Sequence, residues 1–307
     1  MYFLLFLLPL AVLSLLLYCY RECFYSPLPR RDNPHELPKG SQYQRNRDYM
    51  QKLISDFEAV PFEEVYIRSY DGARLFARYY HRTDDAPLQI QCHGYRGTAM
   101  RDYCGGSRLG FEAGHNLLVI DQRAQGRSDG RTISFGIREH RDVLCWLDYA
   151  IGRFGKDTPV ILSGVSMGAA TVLMCTGEEL PPNVRGVVAD SPYFAPTEII
   201  RKVCRDRHLP PALVMPFIHL SARLFGGFSL RAGSPLEAVE KARIPILIIH
   251  GEDDRFVPCQ MSRELAARTD KIRLETFPDA GHGLSFIEDY ERYRRVCFAF
   301  FDHILHS

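Results

Sequence analysis

Pro159-Val160-Ile161-Leu162-Ser163-Gly164-Val165-Ser166-Met167-Gly168-Ala169-Ala170-Thr171-Val172-Leu173 is the stretch whose reading decides the fold. It opens with an apolar run of strand length, turns through Gly-x-Ser-x-Gly, and continues as a small-residue run suited to a helix. A serine on such a strand-to-helix turn takes a strained backbone conformation, and glycines at 164 and 168 remove the side chains that would collide there. Its hydroxyl is then held at a helix N-terminus, where backbone N–H groups can meet a developing oxyanion. The pentapeptide alone is a common pattern. The flanking strand and helix patterns make it specific.

Outward from this turn, the sequence alternates. Residues 63–69 and 74–80 alternate in polarity and are joined by Tyr70-Asp71-Gly72-Ala73, a strong hairpin signal. Beyond them, short apolar runs at 88–92, 116–120, 160–162, 186–189, 246–249 and 272–276 are separated by longer helix-compatible segments. That alternation implies an α/β fold, a mostly parallel sheet with helices on both faces. The interval 191–243 breaks the rhythm with Pro192, Pro196, Pro210, Pro211, Pro216 and Pro235. It is too long for a plain connection and reads as a small helical cap over the strand ends. Its apolar side chains (Phe194, Leu213, Met215, Phe217, Phe225, Phe228) would either face an acyl or lipid-like substrate or form the cap's own core.

Residues 2–20 are almost wholly apolar, interrupted only by Pro9 and Ser14, just long enough to span a bilayer core. No basic residue precedes the run and no small-x-small site follows it, so it reads as an uncleaved anchor and not a signal peptide. Arg21, Arg30, Arg31 and Lys39 lie only on its C-terminal side, which predicts a cell-membrane protein with a cytoplasmic catalytic domain. The expected organisation is a transmembrane anchor at 1–20, a Pro-rich linker at 21–42, and one domain at 43–307 carrying the cap. Tyr43, Met50, Leu53, Ile54 and Phe57 fall at helical spacing, predicting an amphipathic helix packed on that domain. A net charge of +1 gives no electrostatic case for nucleic acid. The nine cysteines include no CxxC pair, so neither a zinc site nor a disulfide framework is indicated, and such usage suits a reducing compartment.

A serine nucleophile needs a base, the base an orienting carboxylate, and the oxyanion its donors. In sheets of this kind such groups sit at strand C-terminal ends. His282, flanked by Gly281 and Gly283 after the run 271–277, is the candidate base. Glu252, Asp253 and Asp254 compete as the carboxylate after the run 246–249. His250 and His93, each followed by glycine at a strand end, read as loop braces. For the oxyanion, the backbone N–H groups of Tyr95 and Met167 are the candidate donors.

Two stretches carry a family resemblance. His250-Gly251-Glu252-Asp253-Asp254-Arg255-Phe256-Val257-Pro258 resembles the H-G-x-x-D-x-x-V-P segment of α/β hydrolases, which selects Asp254 and leaves Asp253 as the alternative. Asp121-Gln122-Arg123-Ala124-Gln125-Gly126-Arg127-Ser128-Asp129-Gly130 resembles their D-x-R-x-x-G-x-S-x-G loop, departing at Ala124-Gln125 where many relatives have Gly and an aromatic or His. The likeness covers about residues 60–305, through five motifs in order, and lies close to the bacterial membrane-anchored YqkD-like and Bem46-like branch. It implies an α/β-hydrolase fold with eight mostly parallel strands, and structural roles for Asp121 and Arg123. It also implies a cofactor-free serine hydrolase whose Ser166, Asp254 and His282 follow the family's chain order. Ester or thioester cleavage of a small or lipid-like acyl substrate is the expected chemistry. A peptidase or amidase of the same fold, and a catalytically idle membrane-associated binding protein, are the alternatives.

Overall fold

The computed structural model describes residues 2–27 and 33–306, with side chains in the first helix from residue 9 onward. The helix α1 (Tyr2–Cys23) leads, followed by α2 (Ser41–Arg45) and α3 (Arg47–Glu58). The hairpin β1 (Glu63–Arg68) and β2 (Arg74–Tyr80) comes next, then β3 (Leu88–Cys92), α4 (Ala99–Glu112), β4 (Asn116–Asp121) and α5 (Glu139–Phe154). The serine turn lies between β5 (Val160–Val165) and α6 (Met167–Cys175), which lead to β6 (Val184–Asp190). Three helices, α7 (Pro196–Asp206), α8 (Pro211–Leu224) and α9 (Pro235–Val239), occupy the interval before β7 (Ile246–Gly251). The chain closes with α10 (Gln260–Ala266), β8 (Ile272–Phe277), α11 (Ser285–Glu288) and α12 (Tyr290–His306).

The strands form one eight-stranded sheet in the order β1-β2-β4-β3-β5-β6-β7-β8. The β1–β2 and β2–β4 pairings are antiparallel and the others parallel. Strands β3, β4 and β7 are buried along their whole length, as a parallel sheet covered on both faces requires. On one face Val143, Trp146 and Leu147 of α5 pack with Ala169, Val172 and Leu173 of α6. On the other, α3, α4 and α12 supply Leu53, Ile54, Leu109, Val296 and Phe300. The two glutamines of β3 survive burial because they are paired. Ser107 Oγ donates to Gln91 Oε1 (2.7 Å), Gln91 Nε2 donates to Gln89 Oε1 (3.1 Å), and Gln89 Nε2 reaches His115 Nδ1 (2.7 Å). Burial holds that imidazole's pKa down to about 4, so it serves this ladder as a neutral ring.

The N-terminal helix departs from the sequence expectation. Among the described residues no helix is long and apolar enough to cross a membrane, which overturns the anchor at 1–20, the membrane partnership and the cell-membrane location with a cytoplasmic domain. One stripe of its second half packs on the domain. Leu16 and Cys19 are buried, α1 packs on α8, and Phe24 beyond its end is fully enclosed with Phe135 and Phe228 edge-on to its ring. Only that stripe is spent on protein: Leu10, Val12, Leu13, Leu15, Leu17 and Tyr18 on the rest of the helix stay exposed. Past the helix, Ser26 N–H donates to the Arg131 carbonyl (2.9 Å) and Tyr25 bridges to Thr132. The linker expected at 21–42 includes 28–32, with the charges Arg30 and Arg31, which lie outside the described residues.

Candidate active site

Ser166 stands between β5 and α6 with φ 56° and ψ −115°, a strained conformation for a residue with a side chain. Close packing fixes the turn: a Cβ on Gly164 would overlap the Gly168 carbonyl, and one on Gly168 would overlap the Cys92 carbonyl. The Ser166 N–H donates to the Asp190 carbonyl at the end of β6 (2.8 Å). The hydroxyl is thereby aimed out of the sheet's C-terminal edge.

Two loops from neighbouring strand ends meet it. His282, after β8, places Nε2 2.9 Å from Ser166 Oγ and Nδ1 2.7 Å from Asp254 Oδ2. With Nδ1–H donating to the carboxylate, Nε2 keeps a lone pair facing the serine hydroxyl. Asp254, after β7, is saturated. Oδ1 accepts from the N–H groups of Phe256 (2.9 Å) and Val257 (2.8 Å), and Oδ2 also receives His250 Nε2 (3.1 Å). Burial works to raise the Asp254 pKa, but the His282 charge and the histidine hydrogen bonds outweigh it and hold the carboxyl well below its usual range. Burial likewise works to lower the His282 pKa, and the Asp254 charge and hydrogen bond overcome it, leaving the imidazole above its ordinary 6.5.

The competing acids are placed elsewhere. Asp253 Oδ2 accepts from Gln42 Nε2 (2.8 Å), and Glu252 pairs with Thr276 (2.7 Å) and Arg263 (3.2 Å). His250 and His93 are both buried braces. Nδ1 of His250 meets Ser262 Oγ at 2.6 Å, while His93 Nε2 accepts from the Gln122 N–H (3.1 Å) and Nδ1 donates to the Gly94 carbonyl (2.9 Å). Asp121 and Arg123 hold the hairpin side of the molecule: Asp121 pairs with Arg78 (2.8 Å), and Arg123 binds both Asp142 oxygens (2.6 Å) and Asp71 (2.9 Å).

The loop 94–98 lies directly against the serine, since a Cβ on Gly94 would sit 3.4 Å from Ser166 Cβ. Gly94 N–H donates to Asp102 Oδ2 (2.9 Å), Thr98 Oγ1 caps α4 by accepting from the Arg101 N–H (3.1 Å), and Arg96 is left-handed with φ 50°. Tyr95 adjoins the cavity at Ser166 and Met167 is the first residue of α6; among the described residues neither N–H has a protein acceptor. The side chains of this loop grip the end of α1. Tyr95 Oη donates to the Cys23 carbonyl (2.9 Å), and Arg96 Nη2 donates to the carbonyls of Arg21 (3.1 Å), Glu22 (3.0 Å) and Tyr25 (3.1 Å).

A cavity of about 480 Å³ opens at Ser166 and His282. Its mouth is formed by Pro38, Lys39 and Tyr43 on one side and Phe256 on another. Among the described residues, none of 191–243 lines it. Met215 and Phe228 are buried in a separate cluster with the end of α1, Phe194 and Phe217 pack against that cluster, and Leu213 is exposed. The apolar side chains of that interval thus form a core of their own. Sequence reasoning missed the segment 38–50 as part of the site. Tyr43 Oη donates to the His282 carbonyl (2.8 Å) and Gln42 reaches Asp253, but the apolar spacing of 43–57 spoke only of packing. It also passed over Asp190, whose buried carboxyl bonds Ser191 Oγ (2.9 Å) and Tyr293 Oη (3.0 Å) behind His282.

Comparison with known proteins places this geometry in context. The chain is 24% identical over 262 residues to the uncharacterized protein YqkD of Bacillus subtilis, covering 85% of this chain and 86% of that one. It is 24% identical to a monoacylglycerol lipase of Mycolicibacterium smegmatis, covering 65% and 82% of the two chains. Among solved structures, the esterase Pf2001 of Pyrococcus furiosus superposes with a TM-score of 0.65 at 21% identity, covering 81% of this chain and 95% of that one. Est1E of Butyrivibrio proteoclasticus, solved with ferulic acid bound, gives 0.62 at 20% identity, covering 79% and 100%. The model of the alpha/beta hydrolase family matches residues 92–296, and the chain belongs to that family.

Proposed function

We propose that the protein is a serine hydrolase that cleaves carboxylic esters or thioesters of small-molecule acyl substrates through Ser166, His282 and Asp254. The observation that carries this reading is the continuous relay of 2.9 Å from Ser166 Oγ to His282 Nε2 and 2.7 Å from His282 Nδ1 to Asp254 Oδ2. His282 accepts the hydroxyl proton as Ser166 Oγ attacks the substrate carbonyl, and Asp254 stabilises the imidazolium that forms. The N–H groups of Tyr95 and Met167 are assigned to the oxyanion; such a donor contributes on the order of 3 kcal/mol to the barrier. The imidazolium then protonates the departing alkoxide or thiolate, leaving an acyl-serine. A water molecule, deprotonated by the same imidazole, attacks the acyl carbon and releases the carboxylic acid and the free hydroxyl.

The test is active-site labelling with a fluorophosphonate alongside ester turnover. Wild-type protein is expected to label and to lose turnover in step, while Ser166→Ala neither labels nor turns over, a drop on the order of 10⁶ in kcat. Equal labelling of the two proteins would remove the assignment.

A further inference from the structure

The cavity at Ser166 does more than open to solvent: it continues beneath the sheet. Its inner wall is built from Gly105, Gly106 and Leu109 of α4 on one side and Tyr293, Cys297 and Phe301 of α12 on the other. The last three are spaced i, i+4, i+8, a single helical stripe about 12 Å long. The roof is the sheet itself, with Ser163 and Val188 near the mouth and Gln89 at the far end. Gln89 pairs with Ile161, and Cys92 with Gly164 beside the nucleophile. Those two levels are three residue steps of strand apart, about 10 Å. Two elements thus give the same depth independently.

The polar groups on this wall are occupied with one another. Tyr103 Oη donates to Ser163 Oγ (3.1 Å), Tyr293 Oη to Asp190 Oδ2 (3.0 Å), and Gln89 is bonded to His115. What they present to the cavity is therefore largely carbon. The glycine pair also has a spatial role: the Phe286 ring lies 2.8 Å from where a Cβ on Gly105 would stand, so only glycine admits that wall residue so close to α4.

From these observations we infer that the cavity is an acyl chamber, which takes the linear, unbranched acyl chain of the ester down the α4–α12 side of the sheet and leaves the alcohol at the mouth. The inference rests on Ser166 being the nucleophile. Direction follows from the two sides of the site. The chamber runs along α4, which continues directly from the loop carrying the Tyr95 donor, whereas His282, which must protonate the leaving oxygen, sits at the mouth under Phe256, with the two rings 5.1 Å apart. A carbon chain advances somewhat less than its ~1.5 Å bond length per atom, so the stripe accommodates roughly eight to ten carbons.

The experiment is kcat/KM for two ester series on the full-length protein, one varying the acyl chain from acetyl to dodecanoyl, the other varying only the alcohol. Each added acyl methylene is expected to raise kcat/KM about three- to fourfold until the chamber is full near octanoyl or decanoyl, with a fall beyond; alcohol length should have little effect. Cys297→Phe and, independently, Leu109→Phe narrow the chamber partway down. Each should lower the decanoyl-to-acetyl ratio about a hundredfold, with thermal unfolding confirming a folded protein. A wild-type series that declines from acetyl onward, or one governed by the alcohol, overturns the inference whether or not the variants fold. An unmoved ratio in both folded variants does the same. Turnover of no ester at all, with Ser166 unlabelled, removes instead the hydrolase reading on which the chamber depends.

Discussion

Two histidines contact the same oxygen of Asp254 and do different things with it. His250 stands one residue before the end of β7 inside the protein, with no exposed side-chain surface, and spends both ring nitrogens on the carboxylate, the Val257 carbonyl (2.9 Å) and Ser262 Oγ. His282 stands on a loop after β8, partly open to the cavity, and spends only Nδ1 on the carboxylate, leaving Nε2 to the serine. Equal chemistry and a shared partner thus yield a brace in one place and, in the proposed mechanism, the base in the other. What separates them is whether the second nitrogen is already used.

The largest effect expected from that difference is in rate. His282→Ala should lower kcat by about 10⁵ to 10⁶, measured with an activated ester, and a loss below a hundredfold would show that the free nitrogen is not the base. pH sharpens the contrast next. Only the neutral ring can accept a proton, and the His282 pKa lies above 6.5. The rate should therefore fall about tenfold per unit as pH drops below that raised value. Stability from the His282–Asp254 ion pair runs the other way: it is fully present below the unfolded imidazole value and fades as pH rises through the folded one. A kcat profile flat from about pH 4 to 9 would exclude this histidine as the base. The smallest rate effect belongs to the brace. His250→Ala should change kcat by no more than about tenfold, yet cost about 1–3 kcal/mol of stability because Ser262 and the Val257 carbonyl lose buried partners. Denaturant unfolding measures the cost, and equal rate losses in the two histidine variants would dissolve the distinction.

Much of this site was legible in the sequence because its signals are local. Ser166 is framed by a strand and a helix within fifteen consecutive residues, and the strand runs read from the sequence coincide with β3 through β8. Choosing among Glu252, Asp253 and Asp254 needed the family resemblance, since three adjacent acids carry no periodicity to separate them. The covering of the site was not legible. Tyr43 meets His282 across 239 residues of chain, and nothing local in 38–50 announces such a contact. For the interval 191–243 the sequence left two readings open, because apolar side chains destined for a core look the same as those facing a substrate. At residues 2–20 hydropathy likewise did not show that Leu16 and Cys19 would pack on protein.

The grip of Arg96 and Tyr95 on the carbonyls at the end of α1 has a practical consequence. Trimming the chain to the hydrolase core, the obvious expression strategy for a sequence with so greasy a start, strips the guanidinium of three acceptors and the phenol of its own. The left-handed Arg96, beside the proposed Tyr95 donor, would then lose its tether. A weakly active shortened protein would report the manner of its preparation, not the capacity of the enzyme.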